Sequence, residues 1–145
     1  MSRWLAALVV LGLGVAAEAQ YTRNRVRFLG QVPLAVMSGS PTSGSGCAGY
    51  VSPGGREYAI MGVRNGTVVV DITNPTAPVQ VGHIAGLSSI WREVAVLGQY
   101  AYVVTEATGG GVQIIDLRQA DVGSVSLAAT FTFSTSNRVH TVQAS

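Results

Sequence analysis

The chain has 145 residues and a formal net charge of +2, and only 11% of its residues are charged. This small positive charge is carried by arginine alone and is too weak to indicate a nucleic-acid partner. The single cysteine, Cys47, excludes an intrachain disulfide, and we expect it to be a small buried residue.

The beginning of the chain is typical of an export signal. Arg3 precedes an apolar run over residues 4–17, and the tripeptide AEA over residues 17–19 has the small-x-small pattern that signal peptidase cuts. The apolar run is too short to favour a membrane-spanning helix, so we expect no membrane span in the mature chain. A signal peptide over residues 1–19 predicts a secreted or cell-surface protein, and a retained membrane anchor is the alternative.

Residues 20–46 are predicted to form an N-terminal strand and a linker rich in Ser and Gly. Three arginines alternate at positions 23, 25 and 27, which places them on one face of an extended segment. We interpret this face as solvated, and a polyanion-binding site is the alternative. The stretch Val26 to Leu34 combines β-formers and predicts a strand, whereas Met37 to Gly46 predicts a loop.

A repeated apolar stretch gives the strongest indication of the fold. The stretch GTVVVDITNP over residues 66–75 is followed by a second copy, GVQIIDL, over residues 111–117. Asp71 and Asp116 close the two β-branched runs and lie 45 residues apart. A run that is apolar nearly throughout indicates a strand buried on both faces.

Each copy belongs to a predicted unit of four strands. Residues 47–86 form the first unit, with strands over residues 47–51, 56–61, 67–72 and 78–84. Residues 87–136 form the second, with strands over residues 93–97, 100–106, 111–117 and 125–133. Turn signals such as Ser52-Pro53-Gly54-Gly55 and Asn65-Gly66 separate the strands.

The period of 44 to 46 residues predicts an all-β protein made of β-propeller blades, each of four antiparallel strands. About two blades are present, and residues 137–145 are predicted to start a further, truncated blade. Because propellers usually need four to eight blades, we expect an incomplete ring and the N-terminal piece of a longer protein. The alternative is an intact short chain that closes its ring by oligomerisation.

Four segments resemble a known family, the secreted bacterial proteins with LVIVD repeats, and in particular the group called choice-of-anchor B. They read CAGYVSPGGREYAIMG (47–62), GTVVVDITNPTAPVQVG (66–82), SSIWREVAVLGQYAYVVTE (88–106) and GGVQIIDL (110–117). The resemblance implies an exported β-propeller held at the cell surface by a C-terminal anchor that varies between members. It implies no enzymatic activity.

A candidate ligand site follows from aligning the two units. The alignment places Cys47 or Ala48, Arg92 and His140 at equivalent positions, at the start of strands that would line the propeller channel. Trp91 and Glu93 flank Arg92, so that an indole, a guanidinium, a carboxylate and an imidazole are available for an anionic or carbohydrate ligand. The competing interpretation is that Arg92 and Glu93 pair with neighbouring loops and that Trp91 packs between blades.

No catalytic motif and no metal site are predicted. Asp71 and Asp116 could suggest calcium, but single aspartates at strand ends more often accept turn hydrogen bonds. The two histidines, His83 and His140, are expected to lie far apart, and we predict no cofactor.

Two classes of function remain open. The first is a surface-displayed binding or scaffolding module, whose partner is an unknown surface protein or glycan. The second is an extracellular hydrolase or lyase at the channel mouth, with Arg92, Glu93 and His140 in its site.

Overall fold

The computed structural model describes residues 26–133 and 137–145, and the predicted signal peptide, Arg23 and Arg25 lie outside these ranges. The described residues form two four-stranded antiparallel sheets, which confirms the prediction of all-β propeller blades in an incomplete ring. Among these residues no helix has the length and apolar character needed to cross a membrane.

Sheet A is the first blade, and its strands are neighbours in chain order. They are β1 (Gly44–Val51), β2 (Glu57–Val63), β3 (Gly66–Asp71) and β4 (Val79–Ala85). A two-residue hairpin turn joins the paired residues Val63 and Gly66. Gly66 is required there because an added Cβ would lie 2.2 Å from the carbonyl oxygen of Ile84.

Sheet B is the second blade and repeats this order. Its strands are β5 (Arg92–Leu97), β6 (Tyr100–Thr105), β7 (Val112–Asp116) and β8 (Ser126–Phe131). The predicted turn at Gly98-Gln99 is present, and Gly98 has a φ of +58°, in the left-handed region that favours glycine. A short 3₁₀ turn, Ala120–Val122, lies in the loop before β8.

The main core lies between the two sheets. Both sheets contribute apolar side chains to it, among them Ile60, Val69, Val103 and Ile115, none more than 1% exposed. All six residues of β3 are buried, as predicted for a strand covered on both faces. The sheets are therefore fixed to each other by burial of apolar surface.

The second face of β3 is covered by the N-terminal segment, defined here as residues 26–40. Val32, Leu34 and Met37 pack against Val63 and Val68 on the side away from sheet B. The prediction of a strand from Val26 to Leu34 was wrong. The segment has no strand and contains a 3₁₀ turn, Leu34–Val36, and it is attached to sheet A by the packing of its apolar side chains.

Residues 137–145 are extended but form no strand, so the predicted opening strand of a further blade is not observed. They nevertheless attach to sheet B. The N–H of Gly111 donates to the carbonyl of Asn137 at 2.8 Å, and the N–H of Val139 donates to the carbonyl of Thr105 at 2.9 Å. These isolated hydrogen bonds fasten the segment without building a ladder.

The expectation that Cys47 is buried was also wrong, since its side chain is exposed. Cys47 lies in β1, an edge strand that pairs only with β2. Successive side chains of a strand point to opposite faces; Ala48 and Tyr50 face the core, and Cys47 lies on the opposite, exposed face.

Candidate functional site

The four predicted site residues do not form one cluster. Arg92 and Glu93 are the first two residues of β5, and successive side chains in a strand point to opposite faces. The side chain of Arg92 turns into the protein and is 1% exposed. Glu93 is only partly buried and, like Trp91, contacts residues 137–145.

Trp91 and His140 form a stacked pair at the surface. Their ring centroids are 4.5 Å apart, and the ring planes are inclined by 11°. The indole N–H of Trp91 donates to the carbonyl of His140 at 3.0 Å, while the backbone N–H of Trp91 donates to the hydroxyl of Ser89 at 3.1 Å. The indole is therefore held in one orientation although it remains 42% exposed.

Two carboxylates lie beside this pair. Nδ1 of His140 is 2.7 Å from Oε1 of Glu106, and both side chains are exposed. Oε2 of Glu93 accepts a hydrogen bond of 3.2 Å from the N–H of Val142. We call Trp91, Glu93, Glu106 and His140 the Trp91–His140 surface. Glu106 was missed in the sequence, where only its position at the end of the predicted strand over residues 100–106 could have indicated it.

Arg92 holds the two sheets together from within. Its Nε–H donates to the carbonyl of Val63 at 3.2 Å, and Nη2 donates to the carbonyl of Leu87 at 2.6 Å. Room for the side chain comes from Gly62 and Gly86, where an added Cβ would lie 2.9 Å from Cβ of Arg92 and 3.0 Å from its Nη1, respectively. Burial lowers the pKa of Arg92 below its ordinary value.

A cavity of about 420 Å³ lies next to this buried guanidinium, between the sheets. It is located where β4 ends and β5 and β7 begin. Its walls are mostly small or apolar, with three polar side chains besides Arg92. The lining residues are Ala85, Gly86, Leu87, Arg92, Thr105, Gly109, Gly110, Gln113 and Thr130. No carboxylate of the described residues lies within 4.0 Å of the Arg92 guanidinium.

Asp71 and Asp116 act as turn caps, as predicted. Oδ1 of Asp71 accepts from the N–H of Thr73 at 2.9 Å, and Oδ1 of Asp116 accepts from the N–H of Arg118 at 2.9 Å. Asp71 also pairs with Arg56, and Asp116 pairs with Arg118 at 2.6 Å. These partners lower the pKa of both carboxyls.

A third aspartate links the blades and was not singled out from the sequence. Asp121, in the loop before β8, accepts from the hydroxyl of Tyr58 at 2.8 Å and from the hydroxyl of Ser52 at 3.0 Å. Burial raises the pKa of Tyr58 to about 12, and the hydrogen bond to Asp121 acts in the same direction. A carboxylate of the second blade thus accepts hydrogen bonds from two hydroxyl groups of the first.

A comparison with protein-family models identifies the repeat. The LVIVD repeat matches residues 54–85 and again residues 91–128. Two segments of the chain are thus similar to the LVIVD repeat. The first LVIVD match contains β2, β3 and β4, and the second contains β5, β6, β7 and the beginning of β8. No curated protein and no solved structure matches the chain.

Proposed function

We propose that this protein is an exported or cell-surface β-propeller of the choice-of-anchor B group, and that it acts as a binding or scaffolding module. The two LVIVD repeats and the two blade-like sheets support the propeller-like module. The apolar run over residues 4–17 and the AEA tripeptide support export. The partner class that fits best is a surface protein or a glycan.

The Trp91–His140 surface is the observation that carries the binding function. An exposed indole that is already oriented loses little conformational freedom when it contacts a partner. Tryptophan is also enriched among residues that dominate binding energy at interfaces. The two carboxylates beside it supply acceptors for the hydroxyl or amide groups of a glycan or peptide.

The second candidate, an extracellular hydrolase or lyase, is favoured by one contact on the same surface. The 2.7 Å contact between His140 and Glu106 is a carboxylate–imidazole pair, an arrangement in which the carboxylate orients the imidazole for proton transfer. Glu93 lies on the side of β5 that faces this pair. Arg92 faces the opposite side and contributes nothing to this pair.

The binding function is tested with the purified protein on an array of bacterial surface glycans and with surface proteins captured from intact cells. We expect Trp91→Ala to weaken the strongest binding at least about tenfold, since interface hot spots typically contribute 2 kcal/mol or more. Phe133→Ala is the matched control, because Phe133 is 40% exposed against 42% for Trp91. Equal binding by wild type and Trp91→Ala would exclude this surface.

The catalytic alternative needs a separate assay. Turnover of esters, lactones or glycosides that is lost in both His140→Ala and Glu106→Gln would replace the binding function with the hydrolase or lyase. Export is tested by N-terminal sequencing of the protein recovered from outside the cell, where a chain beginning at Gln20 is expected.

A further inference from the structure

Arg92 is a buried cation that has no counter-ion among the residues that the structure describes. It is 1% exposed, and the described residues place no carboxylate within 4.0 Å of it. Taking a guanidinium out of water costs free energy unless an anion or a full set of hydrogen-bond acceptors compensates the charge. Carbonyl oxygens compensate only part of the guanidinium charge, because they carry partial charges.

The hydrogen bonds of Arg92 leave donors unused. A guanidinium has five N–H groups. Within residues 26–133 and 137–145 the side chain donates through Nε and Nη2 only, to Val63 and Leu87, and no acceptor is assigned to Nη1. Both N–H groups of Nη1 and the second N–H of Nη2 remain, and two neighbouring N–H groups of this kind suit the two oxygens of a carboxylate.

The adjoining cavity supplies the space for such a partner. Its volume of about 420 Å³ lies within the range of small-molecule sites, which is roughly 300–1,000 Å³. Of the described residues that line it, Arg92 alone is charged. The glycines at positions 86, 109 and 110 and the side chains of Ala85 and Leu87 make most of the wall apolar.

The residues that line the cavity favour one class of anion over another. An inorganic phosphate or sulfate carries several oxygens that all require donors, and this cavity offers one cation and few polar side chains. A carboxylate attached to an apolar body needs donors at one end only, while its other atoms contact Leu87 and Ala85. Thr105, Gln113 and Thr130 can contact one further polar group of the ligand.

We propose that the cavity between the two sheets binds a small organic monocarboxylate, whose carboxylate group pairs with Arg92. This site is separate from the Trp91–His140 surface, and it does not depend on the proposed binding of a protein or glycan there. The ligand is held between two blades, so its binding also stabilises the contact between them.

Titration calorimetry on the purified protein tests the site with butanoate as the probe. Butanamide, which has the same size and no charge, is the matched control ligand, and inorganic phosphate is the second. We expect butanoate to bind at least about tenfold more tightly than either, because a hydrogen bond to a charged group is stronger than one to a neutral amide.

Two independent substitutions locate the binding. Arg92→Met keeps an unbranched side chain and removes the charge, and it should weaken butanoate binding about tenfold or more. Thr130→Phe fills the cavity from β8 without altering Arg92, and it should weaken binding to a similar extent. Ala129→Phe adds the same ring to the neighbouring residue of β8, which does not line the cavity, and should leave binding within about twofold of wild type.

The outcomes are decisive even if Arg92→Met does not fold, because Thr130→Phe and Ala129→Phe retain Arg92 and its hydrogen bonds. Trp91→Ala should bind butanoate like wild type, so loss of the surface function and loss of this site are distinguishable. The proposal is overturned if butanoate does not bind, if phosphate or butanamide binds as tightly, or if Thr130→Phe has no greater effect than Ala129→Phe.

Discussion

The two blades have the same strand order but different surroundings. Sheet A is covered on one face by sheet B and on the other by the N-terminal segment. Sheet B is covered by sheet A on one face, while residues 137–145 attach to its other face beside β5 and β6. All six residues of β3 are buried, whereas in the corresponding strand β7 only Ile115 is.

The difference shows that burial in this repeat is set by what lies beside a blade. Tyr58 in β2 and Tyr102 in β6 lie on corresponding faces of the two blades, yet Tyr58 is 1% exposed and Tyr102 is only partly buried. Tyr58 faces sheet B, and Tyr102 faces away from sheet A. Residues on corresponding faces of the two blades should therefore contribute unequally to stability.

The largest contrast is expected within β7 itself. Ile115 is 0% exposed against sheet A, while Ile114 is partly exposed on the opposite face. Ile115→Ala should lower the free energy of unfolding by about 2–5 kcal/mol, and Ile114→Ala by about 1 kcal/mol or less. Urea denaturation of both variants measures the difference. Equal losses would mean that the second face of sheet B is covered as completely as the first.

The next contrast compares Tyr58 with Tyr102, the tyrosines on corresponding faces of the two blades. Tyr58→Phe removes the hydrogen bond to Asp121 and should cost about 1.5–3 kcal/mol, the usual contribution of a hydrogen bond to a charged group. Tyr102→Phe should change stability by less than about 0.5 kcal/mol. Thermal unfolding at pH 7 makes the comparison, and a Tyr102→Phe loss as large as that of Tyr58→Phe would contradict it.

Measurements at high pH provide a second test of the contribution of Tyr58. The pKa of Tyr58 is raised from 10.0 in the unfolded chain to about 12 in the folded one, so folding favours its neutral form. Its stabilising contribution is complete below pH 10 and is lost as the pH rises towards 12. The difference in stability between wild type and Tyr58→Phe should therefore shrink over this interval.

A smaller effect is expected at the turn caps. Hydrogen bonds from Thr73, first that of its side chain, and from Arg56 lower the pKa of Asp71 below 3.8. Asp71→Asn should cost about 1 kcal/mol at pH 7. Because the folded pKa is the lower one, this loss should fade as the pH falls below 3.8. Asp116→Asn, whose partner Arg118 is well exposed, is the control and should cost less.

The smallest effect is expected at Cys47, which the two-unit alignment places at a position equivalent to Arg92. Cys47 is exposed and Arg92 is buried. Cys47→Ser should change the unfolding free energy by less than about 0.5 kcal/mol. The native thiol should also react with Ellman's reagent without prior unfolding, and protection of the thiol until the protein unfolds would refute the exposed position.

The strand pattern of the blades could be predicted because it depends on local signals. Alternating or continuous apolar runs between Gly, Pro and Asn turns placed all eight strands within a few residues of their observed bounds. The same local signals misassigned Val26 to Leu34, since β-forming residues also suit a segment that covers a sheet face. Whether such a segment finds a strand edge depends on the tertiary structure.

The candidate site was less predictable for a related reason. Sequence order put Trp91, Arg92 and Glu93 together, whereas the alternation of a strand separates Arg92 from its neighbours. A signal for its burial was present in Gly62, a glycine inside a strand, which often marks a close approach by another group. The contact between Glu106 and His140 depends on where residues 137–145 attach, and this could not be read from spacing.

The bond between Tyr58 and Asp121 has a consequence for the order in which the chain acquires structure. The two residues are separated by 63 positions, and Ser52 depends on the same carboxylate across 69. During synthesis or export, the first blade can form its strand ladder early. Its hydroxyl groups stay hydrated until the loop of the second blade arrives, so the first blade is completed only after the second has been made.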